Sequence, residues 1–189
     1  MIKITLPDES VKEFENGVTP YEIAKSISEG LARNVLAAKV NGAIVALNYA
    51  ISEDATVKLL TWNDAEGKEV FWHSSAHLMA AAIKKLYPTA KLGIGPAIEN
   101  GFYYDIDFMD NTISSDDFPA IEAKMLEIAQ SKAQYVRKEV SKKEALDYFT
   151  SIGNEYKVEL INDLEDGTIT FYDTADFVDL CRGPHLFDT

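Results

Sequence analysis

Over its first six positions the chain alternates Ile2, Ile4 and Leu6 with Lys3 and Thr5, the period of a half-buried strand. Pro7-Asp8-Glu9-Ser10 supplies turn chemistry, and Val11 to Phe14 reads as the returning strand. Thr19-Pro20-Tyr21-Glu22 then announces a helix: Thr19 caps, proline fits the first turn, and Glu22 completes a capping box. Ile23, Ala24, Ile27 and Leu31 carry that helix's apolar stripe. Asn34 to Val40 and Ala43 to Asn48 are expected as strands around an Asn41-Gly42 turn, and Thr56 to Leu60 as one more. These segments make one small α+β unit, residues 1–62.

Polar Trp62-Asn63-Asp64-Ala65-Glu66-Gly67 marks the boundary to a second unit, residues 63–189. The pattern predicts a long helix over Val70 to Tyr87, with Ala76, Ala80, Ala81 and Ala82 small enough for close approach by a neighbour. Lys91 to Ile98 reads as a strand broken at Gly93 and Gly95-Pro96, followed by an Asn100-Gly101 turn and a strand from Phe102 to Ile106. A helix over Asp116 to Gln130 precedes a strand over Tyr135 to Val140. Ser141-Lys142-Lys143-Glu144 is a second capping box, opening a helix to about Phe149. Tyr156 to Leu160, Thr168 to Tyr172 and Phe177 to Leu180 are strand-like. This unit too is α+β, a long helix against a mostly antiparallel sheet.

The formal charge of −13 argues against a general nucleic-acid binder, because phosphate favours basic faces. One stretch runs against it: Lys132, Arg137, Lys138, Lys142 and Lys143, opposed only by Glu139. A single cysteine excludes an internal disulfide, and there is neither a signal-peptide core nor an apolar run of membrane-spanning length. A cytoplasmic protein with no membrane partner is expected.

The chemistry concentrates at two places. His73 and His77 stand four apart on the predicted long helix, hence on one face. The only other histidine, His185, follows the only cysteine, Cys181, again by four. Three readings fit the residue types. The histidines are hydrogen-bonded structural residues; or the four side chains are a nitrogen and sulfur set for tetrahedral zinc, without the glutamate of a His-Glu-x-x-His protease because Ser74 stands there; or they form a metal-free hydrolytic site, with Asp179 and Lys157 completing it or with Cys181 as nucleophile.

His73-Ser74-Ser75-Ala76-His77-Leu78, Gly95-Pro96, Asn100-Gly101-Phe102-Tyr103-Tyr104-Asp105, Tyr156-Lys157 and Asp179-Leu180-Cys181-Arg182-Gly183-Pro184-His185 together resemble the N-terminal part of the bacterial threonyl-tRNA synthetases. The resemblance covers essentially the whole chain. It implies a β-grasp, ubiquitin-like TGS domain over residues 1–62 and, over 63–189, the editing domain shared with alanyl-tRNA synthetase, ending earlier than that domain normally does. It implies hydrolysis of seryl-tRNA wrongly made on threonine tRNA, with His73 and Lys157 as catalytic residues and His77, Tyr104, Asp179, Cys181 and His185 forming the pocket. It favours editing without metal, with zinc on His73, His77, Cys181 and His185 as the alternative. ATP, magnesium, a further zinc and the dimer contacts would belong to the catalytic domain of the parent ligase. The expected partner is threonine tRNA, through its 3′ end and acceptor arm. The rival functions are a tRNA-docking module without hydrolytic activity and a free-standing editing factor acting in trans.

Overall fold

A computed structural model describes residues 1–189. By backbone proximity the chain divides into one unit of residues 1–71 with 184–187 and another of 72–183 with 188–189.

In the first unit β1 (Ile2–Thr5) pairs antiparallel with β2 (Val11–Phe14). Helix α1 (Pro20–Ile27) begins at the expected capping box, with Thr19 and Glu22 bonded reciprocally. The single stripe expected through Leu31 is in fact split. Ser28 is fully extended (φ −166°), donates its N–H to Ala24, and accepts from the Leu31 amide to start α2 (Glu29–Asn34). A side chain that caps the next helix ends the previous one, and this leaves Ile27 42% exposed instead of in the core. Strands β3 (Val35–Val40), β4 (Ala43–Val45) and β5 (Ala55–Thr61) follow. The sheet order is β2-β1-β5-β3-β4, with β1 parallel to β5 and every other neighbour antiparallel. Ile2, Ile4, Val18, Ile23, Ala38 and Val57 form its core. A mixed sheet with a helix across it is the β-grasp arrangement.

Helix α3 (Ala65–Leu86) begins five residues before the expected start, so half of the presumed linker is helical. The Asp64 side chain accepts from the Thr61 amide, and its carbonyl accepts from Lys68. Gly67 lies so close to the Thr61 carbonyl that an added Cβ would stand 2.3 Å from its oxygen. This glycine is therefore a packing requirement inside a helix and not a break.

In the second unit two short hairpin pairs follow α3. β6 (Lys91–Leu92) pairs with β9 (Ile106–Asp107), and β7 (Ala97–Ile98) with β8 (Gly101–Phe102). A 3-10 turn leads into α4 (Phe118–Ser131). Then come β10 (Val136–Glu139), α5 (Lys142–Ser151), α6 (Glu155–Asn162), β11 (Thr170–Thr174) and β12 (Phe177–Leu180), the three strands antiparallel in sequence order. α6 corrects the expectation of a strand over Tyr156 to Leu160: Asn154 caps it by accepting from the Lys157 amide. Ala76, Ala80, Ala81 and Ala82 of α3 are fully buried as expected, and Ala80, Ala81 and Ala82 pack with Leu92, Ile128 and Phe177. Phe149, Ile161 and Phe171 centre a second cluster that seats α5 and α6 on the three-stranded sheet.

Candidate functional site

Asp179 is the hub. It lies on β12 with its side chain turned inward, only 2% exposed. One carboxylate oxygen, Oδ1, accepts from Lys157 Nζ at 2.7 Å and from its neighbour's amide, Leu180 N, at 2.8 Å. The other, Oδ2, accepts from the Tyr104 hydroxyl at 2.5 Å. Lys157 is itself only 3% exposed. Two opposite charges taken out of water in this way need close pairing and further hydrogen bonds; the pairing is close, and Tyr104 and the Leu180 amide supply the further bonds on the Asp179 side. Burial first, and then the adjacent Asp179 carboxylate, push the Tyr104 hydroxyl well above its ordinary value, so it stays a donor. The Tyr104 ring is itself pinned: a Cβ on Gly95 would fall 2.2 Å from it. That explains the glycine of Gly95-Pro96.

The α3 histidines lie beside this group. The His73 and His77 rings are 5.1 Å apart, nearly perpendicular. Burial, then the nearby charges of His73 and Lys157, hold His77 well below the usual imidazole value of 6.5. His77 is therefore neutral at pH 7. Its Nε2 stands 3.9 Å from Asp179 Oδ2, near enough for an ion pair in distance alone, but a neutral ring makes none. The Tyr135 hydroxyl donates to the Ser74 carbonyl at 2.8 Å and anchors the turn of α3 between the two histidines.

Cys181 Sγ lies 3.2 Å from His73 Nε2 and accepts from the Gly183 amide at 3.2 Å. Burial pushes its thiol up to about 12, the Asp179 carboxylate adds to that, and the Gly183 amide and Lys157 oppose it. The thiol is protonated at neutral pH and is not poised as a nucleophile. Backbone and side-chain bonds to Thr170 fix the segment: the Cys181 amide donates to the Thr170 carbonyl, and the Thr170 hydroxyl to the Cys181 carbonyl.

His185 is fully buried, and the ligand atoms of His73, His77, Cys181 and His185 all lie within 4.8 Å of one another. Three imidazoles and one thiol are the donor types of tetrahedral zinc, in which neighbouring ligand atoms stand about 3.3–3.8 Å apart. A ligating histidine must be neutral, and His77 is; a ligating thiol must lose its proton, which a bound cation drives. The residues fit a metal-binding cluster.

All the predicted site residues thus find a place: His73, His77, Tyr104, Lys157, Asp179 and Cys181 in the hub just described, and His185 in the cluster. Most cations of the basic stretch are paired locally. Arg137 pairs with Glu139 at 2.9 Å, Lys138 with Asp173 at 3.1 Å and Lys143 with Asp147 at 2.5 Å. Lys142 donates to the carbonyls of Asn162 and Leu164. Four of its five cations are occupied locally, as a solvated surface usually is. Sequence reasoning missed Asn154, although a Gly-Asn pair before an acidic residue is a recognisable helix start.

Residues 2–61 match the TGS domain family. The first unit is therefore a TGS domain, and the chain as a whole is mixed α+β. Over its full length the chain also matches the N-terminal portion of threonine–tRNA ligases: it is 62% identical to that of Cytophaga hutchinsonii, 58% to that of Parabacteroides distasonis and 54% to that of Flavobacterium psychrophilum. In each case all 189 residues align and cover 29% of the relative, so the chain spans under a third of the length of these ligases.

Proposed function

We propose that this chain is the proofreading part of a threonine–tRNA ligase, with residues 63–189 as an editing domain that hydrolyses the ester of seryl-tRNA made on threonine tRNA. The observation that carries the proposal is the buried Lys157–Asp179–Tyr104 group beside His73 and Cys181, in a chain whose full length matches the N-terminal portion of such ligases.

Hydrolysis of this ester requires a positioned water, donors where negative charge develops on the carbonyl oxygen, and a proton for the departing ribose oxygen. Lys157 spends one donor on Asp179 and keeps two, enough to orient the water and to face the developing oxyanion. His73 orients the terminal ribose and its leaving oxygen. Water adds to the ester carbon, the bond to the ribose oxygen breaks, that oxygen takes a proton, and serine departs as the carboxylate. The protonated Cys181 takes no part as a nucleophile; with His77 and His185 it shapes the wall. Asp179 Oδ2 accepts only from Tyr104, so one lone pair remains for the serine ammonium or hydroxyl. The logic of a second site is that one methyl gives a synthetic pocket only about 1–3 kcal/mol of discrimination.

The donor set favours a second reading in which His73, His77, Cys181 and His185 hold zinc. The ion would supply Lewis-acid polarisation there. The work would take place where tRNA is charged, in the cytoplasm, and no helix is long and apolar enough to cross a membrane. The test is substitution: His73→Ala and Lys157→Ala should each abolish seryl-tRNA hydrolysis while tRNA binding is kept, and hydrolysis retained by either variant refutes its role.

A further inference from the structure

Asn154 is 6% exposed, and every polar atom it has is committed. Its amide donates to the Phe149 carbonyl at 2.9 Å and closes the end of α5, and its carbonyl accepts from Val158 at 3.2 Å. Its side-chain Oδ1 accepts from the Lys157 amide at 3.3 Å, and Nδ2 donates to the Leu92 carbonyl at 3.1 Å. The partners fix the orientation of the side-chain amide, because Lys157 offers only a donor and Leu92 only an acceptor.

Those two side-chain bonds join the two arms that meet at Asp179. One arm is the first turn of α6, which carries Lys157 to Oδ1. The other runs from Leu92 on β6, which pairs with Ile106 on β9. It continues through the bonds of Gly93 to Asp105 and Asp105 to Ile94, which fix the residue next to Tyr104, the donor to Oδ2. A second side-chain link between the start of α6 and β6, the Lys91–Glu155 ion pair at 2.6 Å, lies toward solvent, with the Glu155 side chain 61% exposed; Asn154 supplies the buried link and is the one that bonds the Lys157 amide itself. We propose that Asn154 is a positioning residue: by strapping α6 to β6 it sets Lys157 Nζ in register with Tyr104 across Asp179, and so places the two free donors of Lys157 toward the ester. The catalytic consequence rests on the editing function proposed above; the placement of Lys157 does not.

The two bonds can be separated. Asn154→Asp keeps the helix cap, at which Asp and Asn are equivalent, and loses the donor to Leu92. Asn154→Ser also keeps a cap and loses the strap without adding a charge, so a collapse of the Asp variant leaves the question decidable. Ser141→Ala, which removes the capping box of α5 and touches neither arm, controls for lost stability. In the full chain, single-turnover hydrolysis of seryl-tRNA should fall about tenfold or more in the folded Asn154 variants, with half-saturation within about twofold, and stay near wild type in Ser141→Ala. With lysine labelled by 15N, the buried Lys157 ammonium resonance should shift or broaden in the Asn154 variants alone. A wild-type ammonium signal in a folded Asn154 variant overturns the proposal, as does an unchanged rate or an equal loss in Ser141→Ala. If the wild-type chain hydrolyses nothing, the editing function fails while the ammonium resonance still decides the role of Asn154.

Discussion

Asp179→Ala and Lys157→Met break the same ion pair but should not cost the same. Removing Asp179 leaves Lys157 as an uncompensated charge at 3% exposure and orphans the Tyr104 hydroxyl as well. Breaking a buried pair from one side costs about 3–5 kcal/mol, and an orphaned buried donor adds about 1–3 kcal/mol. Removing Lys157 instead leaves a carboxylate that still accepts from Tyr104 and the Leu180 amide, so its cost should fall at the low end, about 3 kcal/mol. The double variant leaves only the Tyr104 hydroxyl without its acceptor, about 1–3 kcal/mol. The orphaned-hydroxyl cost is common to Asp179→Ala and the double variant and cancels, so the cycle predicts a coupling of about 6–8 kcal/mol between the two sites, with Asp179→Ala the worse single change. Urea denaturation of all four proteins at pH 7, followed by a probe in residues 72–183, measures it. Additive costs, or Lys157→Met destabilising more than Asp179→Ala, would refute the placement of Asp179 as the shared acceptor of both donors.

Two further outcomes follow from the same packing. Cys181 is the only cysteine, so alkylation reports it alone. With its thiol pushed up to about 12, reaction with iodoacetamide at pH 8 should run about a thousandfold slower than for a free cysteine, and an ordinary rate would show that the thiol is not held protonated. Gly183 has φ +67°, and an added Cβ would lie 2.0 Å from the Tyr172 hydroxyl. Gly183→Ala should cost about 2 kcal/mol or more in denaturant titration, and Tyr172→Phe in the same chain should return part of it; no recovery would show that the clash lies elsewhere.

The local rules of the fold were legible where a segment carries its own punctuation. The capping boxes at Thr19 and Ser141 stand where the sequence puts them, and the small face of α3 is buried as its alanines imply. The errors came where a tertiary partner overrides the local signal. Gly67 looked like part of a linker because its need for the Thr61 carbonyl is not local. Tyr156 to Leu160 alternates like a strand, yet the bonds of Asn154 to Leu92 and Lys157 hold it as a helix. The spacing of four made the face shared by His73 and His77 readable. That Asp179 takes Lys157 on one oxygen and Tyr104 on the other was not, because these residues are joined only through pairing between distant segments.

The central claim is that this group forms a pocket that hydrolyses a serine ester and excludes one extra methyl. The measurement that tests it most directly compares deacylation of seryl-tRNA and threonyl-tRNA, both charged on threonine tRNA, by the full chain with EDTA present. The account predicts loss of serine at least about tenfold faster than loss of threonine, the scale that one methyl confers in a tight pocket. Equal rates for the two esters, or no hydrolysis of either with or without added zinc, would contradict it.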